Sequence, residues 1–151
     1  SMVAACTYNI KKCGKAVNYC CIKGKKAREI LEGSNAPAAV GPFSQGTVAG
    51  GLVFVSGQRP IDPASGEMEE DPGKATDQSL RNIAAILAEK NLTMANVVKC
   101  NIFLRDMGDF AAVNEVYALH FKEPYPARAC VAVKTLPKSA VVEIEAIAEV
   151  K

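Results

Sequence analysis

Arg128 is the residue whose position most demands a partner. It lies in the strand-like run of residues 127–134, apolar but for Arg128 and the terminal Lys134, and an arginine in such a strand must find an anion, either from the protein or from a ligand. Side chains alternate along a strand, so Arg128 and Cys130 share one face, and Glu143 and Glu145 share a face of the alternating segment 141–150. If these two strands pair as a hairpin through the turn at residues 136–140, Arg128 can approach Glu143 or Glu145. A structural Arg–Glu pair and a ligand-binding arginine are both open on this pattern.

Two further segments combine glycine with hydrogen-bonding side chains: Gly41-Pro42-Phe43-Ser44-Gln45-Gly46 and Ser56-Gly57-Gln58. Glycine permits close backbone approach to a ligand, but turn chemistry at strand ends accounts for them more simply. Asn114 falls inside a helix, where most asparagines are merely solvated. The single histidine, His120, reads as a residue at a helix surface or core edge rather than a catalyst. One histidine with Cys100 and Cys130 cannot build a standard zinc site in the body of the chain. There is no P-loop, no Gly-x-Gly-x-x-Gly fingerprint and no Gly-x-Ser-x-Gly elbow, so nucleotide and Ser–His–Asp chemistry are not expected.

The elements that must hold these residues follow from local patterns. Gly50-Gly51 between two apolar runs predicts a hairpin, and residues 62–66 a turn. Asp71-Pro72 opens a helix to about Lys90, with Leu80, Ile83, Ala84 and Leu87 as its apolar stripe and Asn91 as a left-handed terminus. Residues 97–105 form a strand. Asp109 caps a second helix carrying Phe110, Val113, Val116, Tyr117 and Phe121 on one side, ending before Pro124. The order ββαβαββ implies an α+β fold, a single mixed sheet with two helices on one face. Several strands are apolar on both faces, which two helices cannot cover, so the second face is expected to close on copies of the chain.

Charge divides the 151-residue chain. Residues 1–33 carry seven basic groups against two acids, and the remainder eleven against fourteen, giving about +5 and −3 from a total of +2. The folded part is a poor match for a phosphate backbone, so nucleic acid is disfavoured as a partner. No apolar stretch is long enough for a membrane span. The boundary is placed near Gly33, with residues 1–33 a basic, Cys-rich extension and 34–151 the domain. Ser1 before Met2 reads as a cloning remnant. With no secretory segment, a reducing, cytoplasmic location with free thiols is expected, or an organelle if residues 1–33 are a presequence. Cys6, Cys13, Cys20 and Cys21 lack a Cys-x-x-Cys spacing, and no metal is expected there.

Taken in order, these motifs carry a resemblance. Ser34-Asn-Ala-Pro37 with Gly41–Gly46, Val55-Ser-Gly-Gln58, Pro126-Ala-Arg-Ala-Cys-Val131, Leu136-Pro-Lys138 and Val142-Glu-Ile-Glu-Ala-Ile147 resemble the Rid/YjgF reactive-intermediate deaminases over about residues 34–151. The resemblance implies a chorismate-mutase-like homotrimer with sites between subunits and no cofactor. The implied substrates are 2-imino and enamine acids such as 2-aminoacrylate and 2-iminobutanoate, hydrolysed to 2-oxo acids and ammonia. It implies Arg128 as the carboxylate-binding residue and Glu143 as the acid that positions or activates water. Ser56, Gly57, Asn114 and Cys130 fall at pocket-lining positions. Phe43 stands where many members carry Tyr, removing a hydroxyl. A fixed guanidinium suits a planar carboxylate, and a neighbouring carboxylate can place water at the imine carbon. The alternatives are a non-catalytic trimeric binding or regulatory member, which Phe43 keeps open, and a ribonuclease or translation inhibitor, against which the −3 body and single histidine argue.

Overall fold

The structure, a computed structural model, describes residues 28–151. Four cysteines of the extension lie outside the described residues. Among the described residues, six strands and two α-helices form in the order β1 (Glu29–Leu31), β2 (Gly46–Ala49), β3 (Leu52–Gln58), α1 (Pro72–Ala88), β4 (Val97–Leu104), α2 (Phe110–His120), β5 (Ala127–Ala132) and β6 (Val142–Glu149). They build one sheet in the order β1-β2-β3-β6-β4-β5. The mixed sheet with two helices is the α+β architecture expected from the sequence. β1 was not expected. It lies before the change in composition at Gly33 and pairs antiparallel with β2.

Local chemistry sets most boundaries. Gly50 and Gly51 both have positive φ, at 60° and 78°, the handedness a two-residue hairpin turn needs to match strand twist. The Asp71 side chain accepts a hydrogen bond from the Lys74 amide at 2.9 Å, satisfying one orphan donor of α1 beside Pro72. The helix stops at Ala88, short of Lys90, and Asn91 takes a left-handed φ of 57°. The cap expected at Asp109 differs. A short 3-10 turn, Met107–Asp109, precedes α2, and Asp106 caps it by accepting from the Gly108 amide, while the Asp109 side chain makes no cap bond.

The core lies between the helices and one sheet face. Leu80, Ile83, Ile86 and Leu87 of α1 are fully buried, and Ala84 is half-buried. They meet Val53 and Val55 of β3, and Val142, Ile144, Ala146 and Ala148 of β6. Two buried amides anchor loops to this core. Gln45 accepts from the Gly33 amide at 2.7 Å and donates to the Pro37 carbonyl at 2.8 Å; Asn82 donates to the Ile61 carbonyl at 2.9 Å.

The expected hairpin between the last two strands does not form. β5 pairs parallel with β4, and β6 inserts between β3 and β4, antiparallel to both. Two physical demands are met together. The crossover through α2 makes β4 and β5 parallel neighbours. The alternating β6 becomes a central strand, its Val142-Ile144-Ala146-Ala148 face buried beneath the helices. Away from the helices, Phe54 and Val131 remain 42% and 48% exposed. Among the described residues, no helix is long and apolar enough to cross a membrane.

Asp71→Ala is expected to lower the unfolding free energy by about 1 kcal/mol in urea titrations, with little change in m-value, because it removes one cap and no core contact.

Candidate active site

Two groups of polar residues gather, on opposite faces of the sheet. In the β4–β5 ladder Arg128 stands opposite Cys100, so both side chains leave on the helix face. There Arg128 Nη1 donates to Asn114 Oδ1 of α2 at 2.7 Å. The guanidinium carbon lies 4.9 Å from the ring centre of Tyr117 and 5.8 Å from that of Phe110. Among the described residues, no ion pair involves Arg128. With five N–H donors and a single neutral acceptor, the group keeps its charge uncompensated among the described residues.

Cys130 follows two residues along the same face and is half-buried. Burial pushes its thiol above the ordinary value, while the Arg128 charge pulls it down. Cys100 is fully buried, and its thiol is pushed up to about 11 by burial, opposed by Tyr117 and by Arg128. The Tyr117 hydroxyl, buried and without a well-formed hydrogen bond, faces that thiol. Both cysteines therefore stay protonated at neutral pH and are poor nucleophiles.

Glu143 stands opposite Phe103 in the β4–β6 ladder and leaves on the other face. Its Oε1 lies against Gly57, in the space a Cβ there would take, so glycine is what lets the carboxylate seat itself. Half-burial raises the Glu143 pKa above the ordinary value. The Arg59 charge lowers it, and that of Glu145 raises it further. Glu145 itself accepts from Asn101 Nδ2 at 2.8 Å. Ser56 lies beside Gly57, its hydroxyl donating to the Ser44 carbonyl at 2.6 Å. Phe43 precedes Ser44 in the same loop and is 51% exposed. A cleft of about 260 Å³ opens on this face, lined by Ser56, Phe54, Lys99, Asn101 and Glu145.

The expected residues thus fall into two sets, Arg128, Asn114 and Cys130 in one, Phe43, Ser56, Gly57 and Glu143 in the other. The sequence-based approach of Arg128 to Glu143 or Glu145 does not occur, because β4 lies between β5 and β6 and the side chains leave opposite faces. Sequence reasoning assigned Phe110 and Tyr117 only to an apolar stripe and missed Arg59 altogether. The spacing of Phe110, Asn114 and Tyr117 at i, i+4 and i+7 was the available signal. His120, read as a helix-edge residue, makes a 2.8 Å contact from Nε2 to Asp77 Oδ1 and ties α2 to α1.

Comparison with known proteins bears on this arrangement. The family described as Endoribonuclease L-PSP matches residues 33–150. The RutC family protein y4sK of Sinorhizobium fredii is 48% identical over 120 residues, 79% of this chain and 95% of that protein. The chain belongs to the Rid/YjgF family. Another relative of this Rid/YjgF chain, the 2-iminobutanoate/2-iminopropanoate deaminase of Salmonella typhimurium, is 46% identical over 117 residues, 76% of this chain and 91% of that protein. Among solved structures, Escherichia coli TdcF with bound serine superposes with a TM-score of 0.78 at 42% identity, covering 82% of this chain and 99% of TdcF.

The electrostatics of the Glu143 set give a signed expectation. Arg59→Gln should raise the Glu143 titration midpoint and Glu145→Gln should lower it, followed by carboxyl-carbon NMR across pH.

Proposed function

We propose that this Rid/YjgF member hydrolyses 2-imino acids such as 2-iminobutanoate, and the enamine 2-aminoacrylate through its imine tautomer, to 2-oxo acids and ammonia without a cofactor. The observation that carries this reading is Arg128, steadied by Asn114 yet lacking a carboxylate among the described residues. A small planar carboxylate satisfies the open donors bidentately and orients the imine carbon next to it. The name of the Salmonella relative, and the serine bound to E. coli TdcF, a small molecule with a carboxylate, support the same chemistry.

Glu143 is assigned the second role. As the carboxylate it takes a proton from water as the oxygen attacks the imine carbon. The resulting carbinolamine collapses with the proton going to nitrogen, and ammonia leaves. Burial favours the protonated acid, so the base form is lost at a higher pH than for an ordinary glutamate as pH falls.

Because Arg128 and Glu143 leave opposite faces, one site can use both only if Glu143, with Ser56, Gly57 and Phe43, comes from a neighbouring copy. A homotrimer supplies this, and it also covers the exposed Phe54 and Val131. Phe43 offers the substrate an apolar wall without a hydroxyl. The reading as a ribonuclease gains little from His120, which is already held by Asp77. A cytoplasmic location, with the basic segment that precedes β1 as an appendage to the catalytic domain, completes the proposal.

The decisive assay generates 2-iminobutanoate with a threonine dehydratase and traps it with semicarbazide. Added protein should suppress semicarbazone formation; an unchanged yield would falsify the deaminase reading. Arg128→Ala should cut kcat/KM by roughly 100-fold or more. Glu143→Gln should lower kcat by about 100-fold and abolish an acidic limb that lies above the ordinary glutamate range. Light scattering should give three times the 16.0 kDa chain mass, and a mass of one chain would remove the shared site.

A further inference from the structure

The helix face of the Arg128 site holds two aromatic rings that the catalytic roles above do not use. Phe110, Asn114 and Tyr117 are spaced i, i+4 and i+7 along α2, so they form one stripe one turn apart. All three meet a single guanidinium. Asn114 binds one end at 2.7 Å, and the rings lie 4.9 and 5.8 Å from its carbon. Tyr117 is itself 5% exposed and packs against Phe121 in a tilted pair, with ring centres 4.6 Å apart, so it is a fixed surface rather than a mobile side chain. β5 is an edge strand, and Arg128 is otherwise exposed. A long side chain there would sample many rotamers unless something held it.

We propose that Tyr117, with Phe110, is a positioning residue: the two rings form an aromatic seat that fixes the Arg128 guanidinium before substrate arrives. The seat occupies one side of the planar cation through cation–π attraction, while Asn114 holds one edge. The carboxylate is left the remaining N–H edge, in a defined direction. Without the rings the arginine still binds, but it must first be ordered, and that cost falls on affinity. The ring does this, not the hydroxyl, which has no well-formed partner in its buried position. This inference rests on the deaminase reading for its kinetic test, but not for its spectroscopic one.

Tyr117→Leu should raise KM for 2-iminobutanoate and Kd for 2-oxobutanoate by about five- to ten-fold, with kcat changed much less. Tyr117→Phe should restore both while losing no stability. Val53→Ala, a core truncation on β3, which β6 and β4 separate from β5, should lower Tm and leave KM unchanged, separating seat from scaffold. If Tyr117→Leu does not fold, Phe110→Leu takes its place and should raise KM in the same direction. Independently of activity, the Arg128 side-chain Nε–H resonance, assigned by its loss in Arg128→Lys, should be ring-shifted in the wild type and in Tyr117→Phe. It should move toward the solvent-exposed value in Tyr117→Leu. An unshifted wild-type signal, or folded leucine variants with KM and Kd within two-fold of wild type, overturns the seat. A wild type that turns over no imine but shows the ring-dependent shift refutes the deaminase reading and leaves the seat standing.

Discussion

A strand sends successive side chains to opposite faces, and in this fold that constraint separates a guanidinium from a carboxylate. Arg128 follows the parity of Cys100 and lies under α2; Glu143 follows the parity of Phe103 and lies on the uncovered side. No rotamer change moves a side chain through a sheet. In the proposed function this division is central: each face presents one part of the reaction centre, and a second copy supplies the complement.

The two faces also differ in electrostatic character. On the helix side the charge of Arg128 is uncompensated among the described residues but surrounded by neutral groups: an amide, two aromatic rings and two protonated thiols. Such surroundings keep the cation available to an incoming anion, where an internal glutamate would compete for it. On the open side the acids cluster, Glu143 with Glu145 nearby, and Arg59 offsets part of their repulsion. Gly57 matters because the Glu143 carboxylate occupies the volume that any other side chain would fill. The arrangement suits a substrate whose carboxylate needs a cation and whose electrophilic carbon needs a water beside a base.

The same sheet face that carries Glu143 also carries Phe54, Phe103, Val131 and Ile147. Because these apolar groups share a face with the proposed base Glu143, assembly and site formation are one event in the proposed trimer. In that proposal, burying the apolar residues and bringing a neighbour's Arg128 to the acid happen together. Loss of assembly and loss of chemistry then become the same defect.

Much of this was written in the sequence. The Gly50-Gly51 hairpin, the Asp71-Pro72 helix start and the alternation of residues 142–148 are local signals, because each depends on φ preferences, caps or periodicity within a few residues. The motifs around Arg128 and Glu143 identified the family, and the roles proposed for both residues come from that resemblance. Strand neighbours were not legible. The turn at residues 136–140 looked like a hairpin, and only the α2 crossover, with the demand to bury β6 on two sides, decided that β4 lies between β5 and β6. Nor could the sequence show that Phe110 and Tyr117 sit against Arg128, or that Arg59 senses Glu143, because those contacts join segments far apart in the chain. Residue types and local geometry are set by short-range chemistry; which groups meet is set by the packing of the whole sheet.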